Sequence, residues 1–329
     1  MPAATWLRKN LFNGWWNSLL TVVTVAGLIL LLRPLLAWTF TEARWFVIPA
    51  TARLLAVGPF PVDQVWRVWT LLGATLFLVT LTVWLRRSVR PWVRPSIVTL
   101  WVMLPVLTVA LLSAVPINLW GGLMITLIMT VAALAIAFPL GILLALGRVS
   151  SMPVIRILST TFVELMRGVP LVSVLFLAWL MVPLFVPENW RTPQLVRAII
   201  GFALFNGAYI SEYVRGGLQG VPKGQGEAAR ALGLGGFDTM YRIVLPQALR
   251  SVVPGLVGQS ITAFKNTSLV VIIGLLDLLG ITQSILGNPR FLGLERELYA
   301  FLMLLFFCLA SLMSWAGRRI ELRMGLGTR

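Results

Sequence analysis

From Ile97 to Gly147 the chain carries no charged side chain. That stretch is long enough for two membrane crossings at roughly 20 residues each. A water-soluble fold has little use for it, because only 12% of the whole sequence is charged where a soluble domain carries about 25%. In hydrocarbon every backbone N–H and C=O must be satisfied inside its own segment or in a closed barrel, and runs of this length exceed barrel strands. The sequence therefore predicts an all-α integral membrane protein.

About eight crossings are predicted: Trp15 to Leu32, Val68 to Leu85, Ile97 to Val115, Gly121 to Gly147, Phe162 to Val186, Val196 to Ser211, Pro254 to Leu276 and Leu298 to Gly317. The first follows Arg8 and Lys9 as a signal peptide would, but it is longer than an h-region and no small-residue cleavage site follows, so it is expected to stay as an anchor. Between the first two lies a mixed loop holding Glu42, Arg44, Arg53 and Asp63. Basic residues gather at alternate loops: Arg86, Arg87, Arg90 and Arg94, then Arg148 and Arg156, then about Glu212 to Arg250, then the tail from Arg318. By the positive-inside rule these loops, and both termini, are expected on the cytoplasmic side, and Pro187 to Gln194 and Gly280 to Glu297 outside. Trp15, Trp16, Trp84, Trp92, Trp120 and Trp315 are expected to anchor crossing ends at the membrane interface.

The excess of 27 Lys and Arg over 11 Asp and Glu would suggest nucleic acid on a soluble surface, but here it marks topology and a basic tail near anionic lipid. No His is present and the single Cys308 sits in an apolar run, so no catalytic residue, no metal site and no disulfide are expected, and Cys308 reads as a small packing residue.

The segment from Glu212 to Arg250 reads as helix, break, helix. Glu227 to Leu232 forms helix well, Gly233 is suited to end it, Asp238 or Thr239 could cap the next helix, and Pro246 is expected to kink or end that one. Glu227-Ala228-Ala229, Gly233, Ile243 and Leu245-Pro246 resemble, at each fixed position and spacing, the signature of ABC importer permeases. The resemblance implies that Glu227, Ala228, Ala229, Gly233, Leu245 and Pro246 belong to a coupling loop, about residues 212–250, that docks on a cytoplasmic ABC ATPase dimer. It also implies that ATP and Mg act in that partner and that this chain binds no cofactor, since it has no phosphate loop of the G-x-x-x-x-G-K-[ST] kind. The chain is then not an enzyme.

A narrower resemblance, to the polar and general L-amino acid permeases, covers about Trp120 to Arg329. It is carried by Gly122 to Leu127, Glu164-Leu165-Met166-Arg167-Gly168-Val169-Pro170-Leu171, Tyr209-Ile210-Ser211-Glu212, Pro246 to Arg250 and Lys265-Asn266-Thr267-Ser268-Leu269. Val169 and Asn266 depart from it, standing where that family often has Thr and Asp. The resemblance implies a permease core over 118–329 with five crossings and an N-terminal extension of three helices over 1–117. Its implied partners are an extracytoplasmic amino-acid-binding protein and a second related permease subunit, in the bacterial inner membrane among its lipids, with no nucleic acid.

Polar residues deep in a crossing are functional hypotheses by default. Lys265, Asn266, Thr267 and Ser268 interrupt an apolar run near its middle and offer donors to a carboxylate. Glu164 with Arg167, and Glu212 with Arg215, lie three apart and can pair along one helix face. Asn206 and Tyr209 are further pathway candidates. A secondary transporter or channel would leave the cytoplasmic helix-break-helix without a purpose, and a membrane enzyme would need a nucleophile and base that the sequence does not supply.

Overall fold

Runs that are apolar for 18 residues or more become helices, because hydrocarbon leaves the backbone no other hydrogen-bond partner. The computed structural model describes residues 3–85, 93–187 and 192–325. Among these, seven helical stretches are long and apolar enough to cross a membrane, or eight if one bent pair forms a single crossing. Arg86, Arg87, Arg90, Trp92 and the side chain of Arg94 lie outside the described residues, as does part of the expected outer loop at 187–194.

The chain divides into two compact units, Met1–Pro49 and Ala50–Arg329. The first holds α1 (Ala3–Asn10), α2 (Trp15–Ala37) and a π turn, Trp38–Glu42, where the Trp45 indole donates to the Thr39 carbonyl at 2.9 Å. The chain then enters α3 (Val47–Val57). This short apolar helix is absent from the sequence reading, which had a mixed loop here; at 11 residues it is too short to cross.

In the second unit α4 (Trp66–Leu85) and α5 (Val93–Leu112) pair with each other, and α6 (Gly122–Arg148) follows. Val57, Phe60, Leu71, Leu112, Val115 and Met124 share one buried cluster, so apolar packing runs from residues before position 117 into α6. Gly122, at the start of α6, has φ +62°, and a Cβ built there would lie 2.4 Å from the Leu55 carbonyl oxygen. Only glycine meets both demands.

The expected fifth crossing is not straight. α7 (Pro153–Gly168) and α8 (Leu171–Met181, extended by a 3-10 turn to Phe185) meet at 112°. Pro170 lacks an N–H, and its ring forces Val169 out of the helical region, to φ −108° and ψ 138°.

α9 (Gln194–Gly220) is the central helix and runs nine residues past the expected end at Ser211, so Glu212 and Arg215 lie in helix rather than loop. It packs closely on α6 because both present small residues four apart: Ala133, Ala137, Gly141 and Ala145 on one, Ala203, Gly207 and Ser211 on the other. A Cβ on Gly141 would come within 2.5 Å of the Ile210 side chain.

α10 (Lys223–Ala231) and the short α11 (Gly236–Asp238) precede a π segment, Thr239–Val244, that continues into α12 (Leu245–Asn266). Pro246 therefore does not end a helix; it directly follows the π segment, and the helical stretch runs on through it. The same stretch proceeds as a 3-10 helix, Thr267–Ile273. α13 (Leu278–Leu286) and α14 (Glu295–Arg323) complete the fold, α14 lying against α12. Cys308 is exposed on α14 rather than packed inside.

Candidate functional site

Gly233 has φ +83° and closes α10 in a Schellman turn: its N–H donates to Arg230 O at 2.9 Å and the Leu234 N–H to Ala229 O at 3.1 Å. Asp238 and Thr239 do not cap the next helix. Gly235 holds the cap position, Asp238 pairs with Arg242 at 2.9 Å, and Thr239 is buried. Gln247 in α12 donates to Ile243 O at 2.9 Å and to Gln225 in α10 at 3.3 Å, which ties α10 to the long helix behind it. Of the expected coupling residues, Ala229 and Leu245 are buried and anchor the segment, while Glu227, Ala228, Gly233 and Pro246 are exposed. Around them Leu232, Phe237 and Tyr241 are 83%, 80% and 63% exposed, with the two rings stacked 5.9 Å apart. Large apolar side chains thus group as one exposed patch on a capped surface segment.

At the same end of α6, Arg148 reaches Glu212 in α9 at 2.5 Å and Glu164 in α7 at 3.0 Å. Arg167 lies 3.4 Å from Glu212 and 4.0 Å from Glu164, Arg215 pairs with Glu212, and the Arg167 guanidinium sits 5.7 Å from the Tyr209 ring centre. Both pairs expected from three-residue spacing thus form, but inside one network of three guanidinium groups and two carboxylates that binds α6, α7 and α9. A cleft of about 510 Å³ opens beside it, lined by Arg167, Tyr209, Glu212, Tyr213, Gly216 and Val252. It presents a cation, an anion and two phenol rings in one place.

Lys265, Asn266, Thr267 and Ser268 sit where α12 gives way to the 3-10 helix, not in the middle of a regular crossing. The Thr267 hydroxyl donates to Phe264 O at 2.7 Å and the Ser268 hydroxyl to Lys265 O at 3.0 Å, so both hydroxyls are taken up by the backbone of the turn before them. Lys265 is exposed and forms no ion pair among the described residues. Asn206 is buried; it donates to Phe202 O at 2.8 Å and accepts from Gln259 of α12 at 2.9 Å. Its side chain joins α9 to α12 and does not meet the ion network.

Three residues in these arrangements escaped the sequence reading. Arg148 was visible only as a basic residue ending an apolar run; its carboxylate partners lie 16 and 64 positions away. Gln259 stood as a polar residue within an apolar run, a signal available but not taken up. Asp277 caps α13, accepting from the Gly280 N–H at 2.9 Å, is wholly buried, and leaves Oδ2 without a partner. Burial pushes its carboxyl up to about 7, against the pull of its backbone hydrogen bonds. Leu276 O accepts from Gly122 N–H at 2.9 Å and Leu278 N–H donates to Thr126 at 3.2 Å, so this turn closes the end of α6 opposite Arg148.

Residues 137–326 match the model of a family described as binding-protein-dependent transport system inner membrane component. The chain is 41% identical to the inner membrane amino-acid ABC transporter permease protein YhdY of Escherichia coli K12, over 99% of this chain and 94% of the relative. It is 30% identical to the glutamate/glutamine/aspartate/asparagine transport system permease protein BztC of Rhodobacter capsulatus, over 98% and 94%. Among solved structures it resembles a chain of an amino acid ABC transporter crystallised with histidines, with a TM-score of 0.55 and 29% identity over 61% of this chain and 92% of that one.

Proposed function

The chain belongs to the binding-protein-dependent transport system inner membrane component family, and from that premise we propose that it is the permease subunit of an ABC importer for L-amino acids in the bacterial inner membrane. The observation that carries the coupling part of this reading is the exposed patch of Leu232, Phe237 and Tyr241 that follows the Schellman-capped α10, the helix holding Glu227. A cytoplasmic ATPase dimer docks there, and ATP and Mg belong to that partner. The Gln247 bond and the packing of α10 on the π segment hold α10 to the helix that runs into α12, so a push on the patch moves a helix of the bundle. The amino-acid part rests on the amino-acid permeases to which this chain is similar over nearly its whole length.

Both termini face the cytoplasm. Residues 1–117 are an extension to a core over 118–329, and an extracytoplasmic binding protein and a second related permease complete the transporter. The exposed ammonium of Lys265, with Asn266 and Ser268 beside it, lines the pathway and meets the substrate carboxylate, while Thr267, expected with them, is wholly buried and braces the turn from within. Arg167, with Glu164 paired to it, borders the cleft nearer the cytoplasm beside Glu212, which suits a zwitterion, and Asn206 joins α9 to α12 within the bundle. Access alternates between the two sides as the helices switch packing.

Uptake of a panel of labelled L-amino acids is measured in cells lacking the chain and in the same cells given wild type, Gly233→Asp or Lys265→Ala. Uptake restored by wild type and by neither variant is expected. Unchanged uptake across the panel on loss of the chain overturns the amino-acid assignment, and full activity of Gly233→Asp overturns the coupling role.

A further inference from the structure

Away from the coupling end, α3 and the start of α4 enclose a cleft of about 680 Å³ lined by Ala52, Arg53, Ala56 and Val57 on one side and Val62, Val65, Trp66 and Trp69 on the other. Its volume falls in the roughly 300–1,000 Å³ range of small-molecule sites. Ala52 and Ala56 lie one turn apart on α3, and their short side chains leave the space open. Its place in the bilayer follows from its neighbours. α3 packs against Gly122, at the end of α6 opposite Arg148. Trp66 and Trp69 are 53% and 58% exposed at the first turn of a crossing helix, where indoles mark the headgroup level, and Asp63 stands just before them.

The walls are apolar except for one guanidinium and the indole N–H groups of the two Trp. Water filling the cleft would lie against mostly apolar surface, and an empty cleft would forfeit dispersion contacts along both walls. At the boundary between headgroups and hydrocarbon, a lipid tail is the apolar filler at hand. Arg53 is held in place by its Nη1, which donates to the Phe60 carbonyl at 2.9 Å, and no ion pair of Arg53 forms among the described residues. A fixed guanidinium with remaining N–H donors is suited to a phosphodiester.

We propose that this cleft is a phospholipid site: one acyl chain lies along Ala52, Ala56, Val62 and Val65, and the lipid phosphate is bound by Arg53 between Trp66 and Trp69. The occupant is a membrane glycerophospholipid, because apolar walls with one guanidinium in the lining match a molecule with an apolar tail and an anionic head. The bound lipid fastens α3 to α4.

The test uses the purified full-length chain in detergent, stripped of lipid and titrated with phosphatidylglycerol, with bound adducts counted by native mass spectrometry. Inorganic phosphate is titrated in a parallel arm. Wild type is expected to bind one phosphatidylglycerol more tightly than the background adducts and to bind no phosphate. Arg53→Gln is expected to weaken that adduct about tenfold, as loss of a charged hydrogen bond does. Ala52→Trp, which fills the cleft from an exposed lining position, is expected to abolish it, with Val62→Trp as a second filling variant should Arg53→Gln fail to fold. Wild-type lipid binding by the filled variants overturns the proposal. So does binding of inorganic phosphate with equal affinity, or a change in subunit stoichiometry in place of lipid loss, which would make the cleft a protein contact.

Discussion

Asp277→Asn should remove a pH dependence of stability that wild type carries. The wild-type carboxyl is wholly buried, keeps one oxygen without a partner and titrates near 7 in place of the ordinary 3.8. A carboxyl with a raised folded value binds its proton more tightly when folded, so its contribution is fully present below about pH 4 and is lost as pH rises to about 7, with no further change above. At 1.36 kcal/mol per unit the whole loss is about 4 kcal/mol, and about 2 kcal/mol of it falls between about pH 5.5 and about pH 8. In the variant, the amide oxygen can still accept from Gly280, and nothing titrates. The assay is thermal unfolding of the purified protein in nanodiscs, followed by tryptophan fluorescence, for both forms at both pH values. Comparing the two forms cancels groups they share. Wild type should lose stability relative to the variant on going from pH 5.5 to 8, by a few degrees in Tm. A difference between the two forms that is the same at both pH values would refute the assignment of a buried, protonated carboxyl.

Asn206→Ala and Gln259→Ala, singly and together, should show a coupling of about 0.6 to 2 kcal/mol in unfolding, because their hydrogen bond crosses from α9 to α12 inside the bundle; simple additivity would deny that the bond is made. Gly141→Val should cost about 1 to 3 kcal/mol by forcing α6 from Ile210 and Gly207, and an unchanged Tm would mean the two helices are not in contact there.

The crossings themselves were legible because a long apolar run can satisfy its backbone only as helix, whatever surrounds it. The coupling segment was legible for a different reason: Gly233 ends α10 through backbone bonds made within a few residues. Local rules also mislead when a neighbour intervenes. Pro246 reads as a kink or an end of its helix, but a π segment directly precedes it and the helical stretch continues into α12. Asp238 looked like a cap and was taken by Arg242.

The residues expected to act in pairs illustrate the division most clearly. Sequence spacing alone determined that Glu164 could reach Arg167 and Glu212 could reach Arg215, since residues three apart share a helix face. Only the tertiary structure decided that both pairs form one network, because Arg148 arrives from α6 and the bend at Val169-Pro170 sets the course of the chain beyond α7. The same holds for Asn206 and Gln259, and for the burial of Asp277. Hydropathy along a chain fixes which segments enter the membrane; which polar groups meet there depends on distances across the bundle, and those are set by where small residues let helices approach.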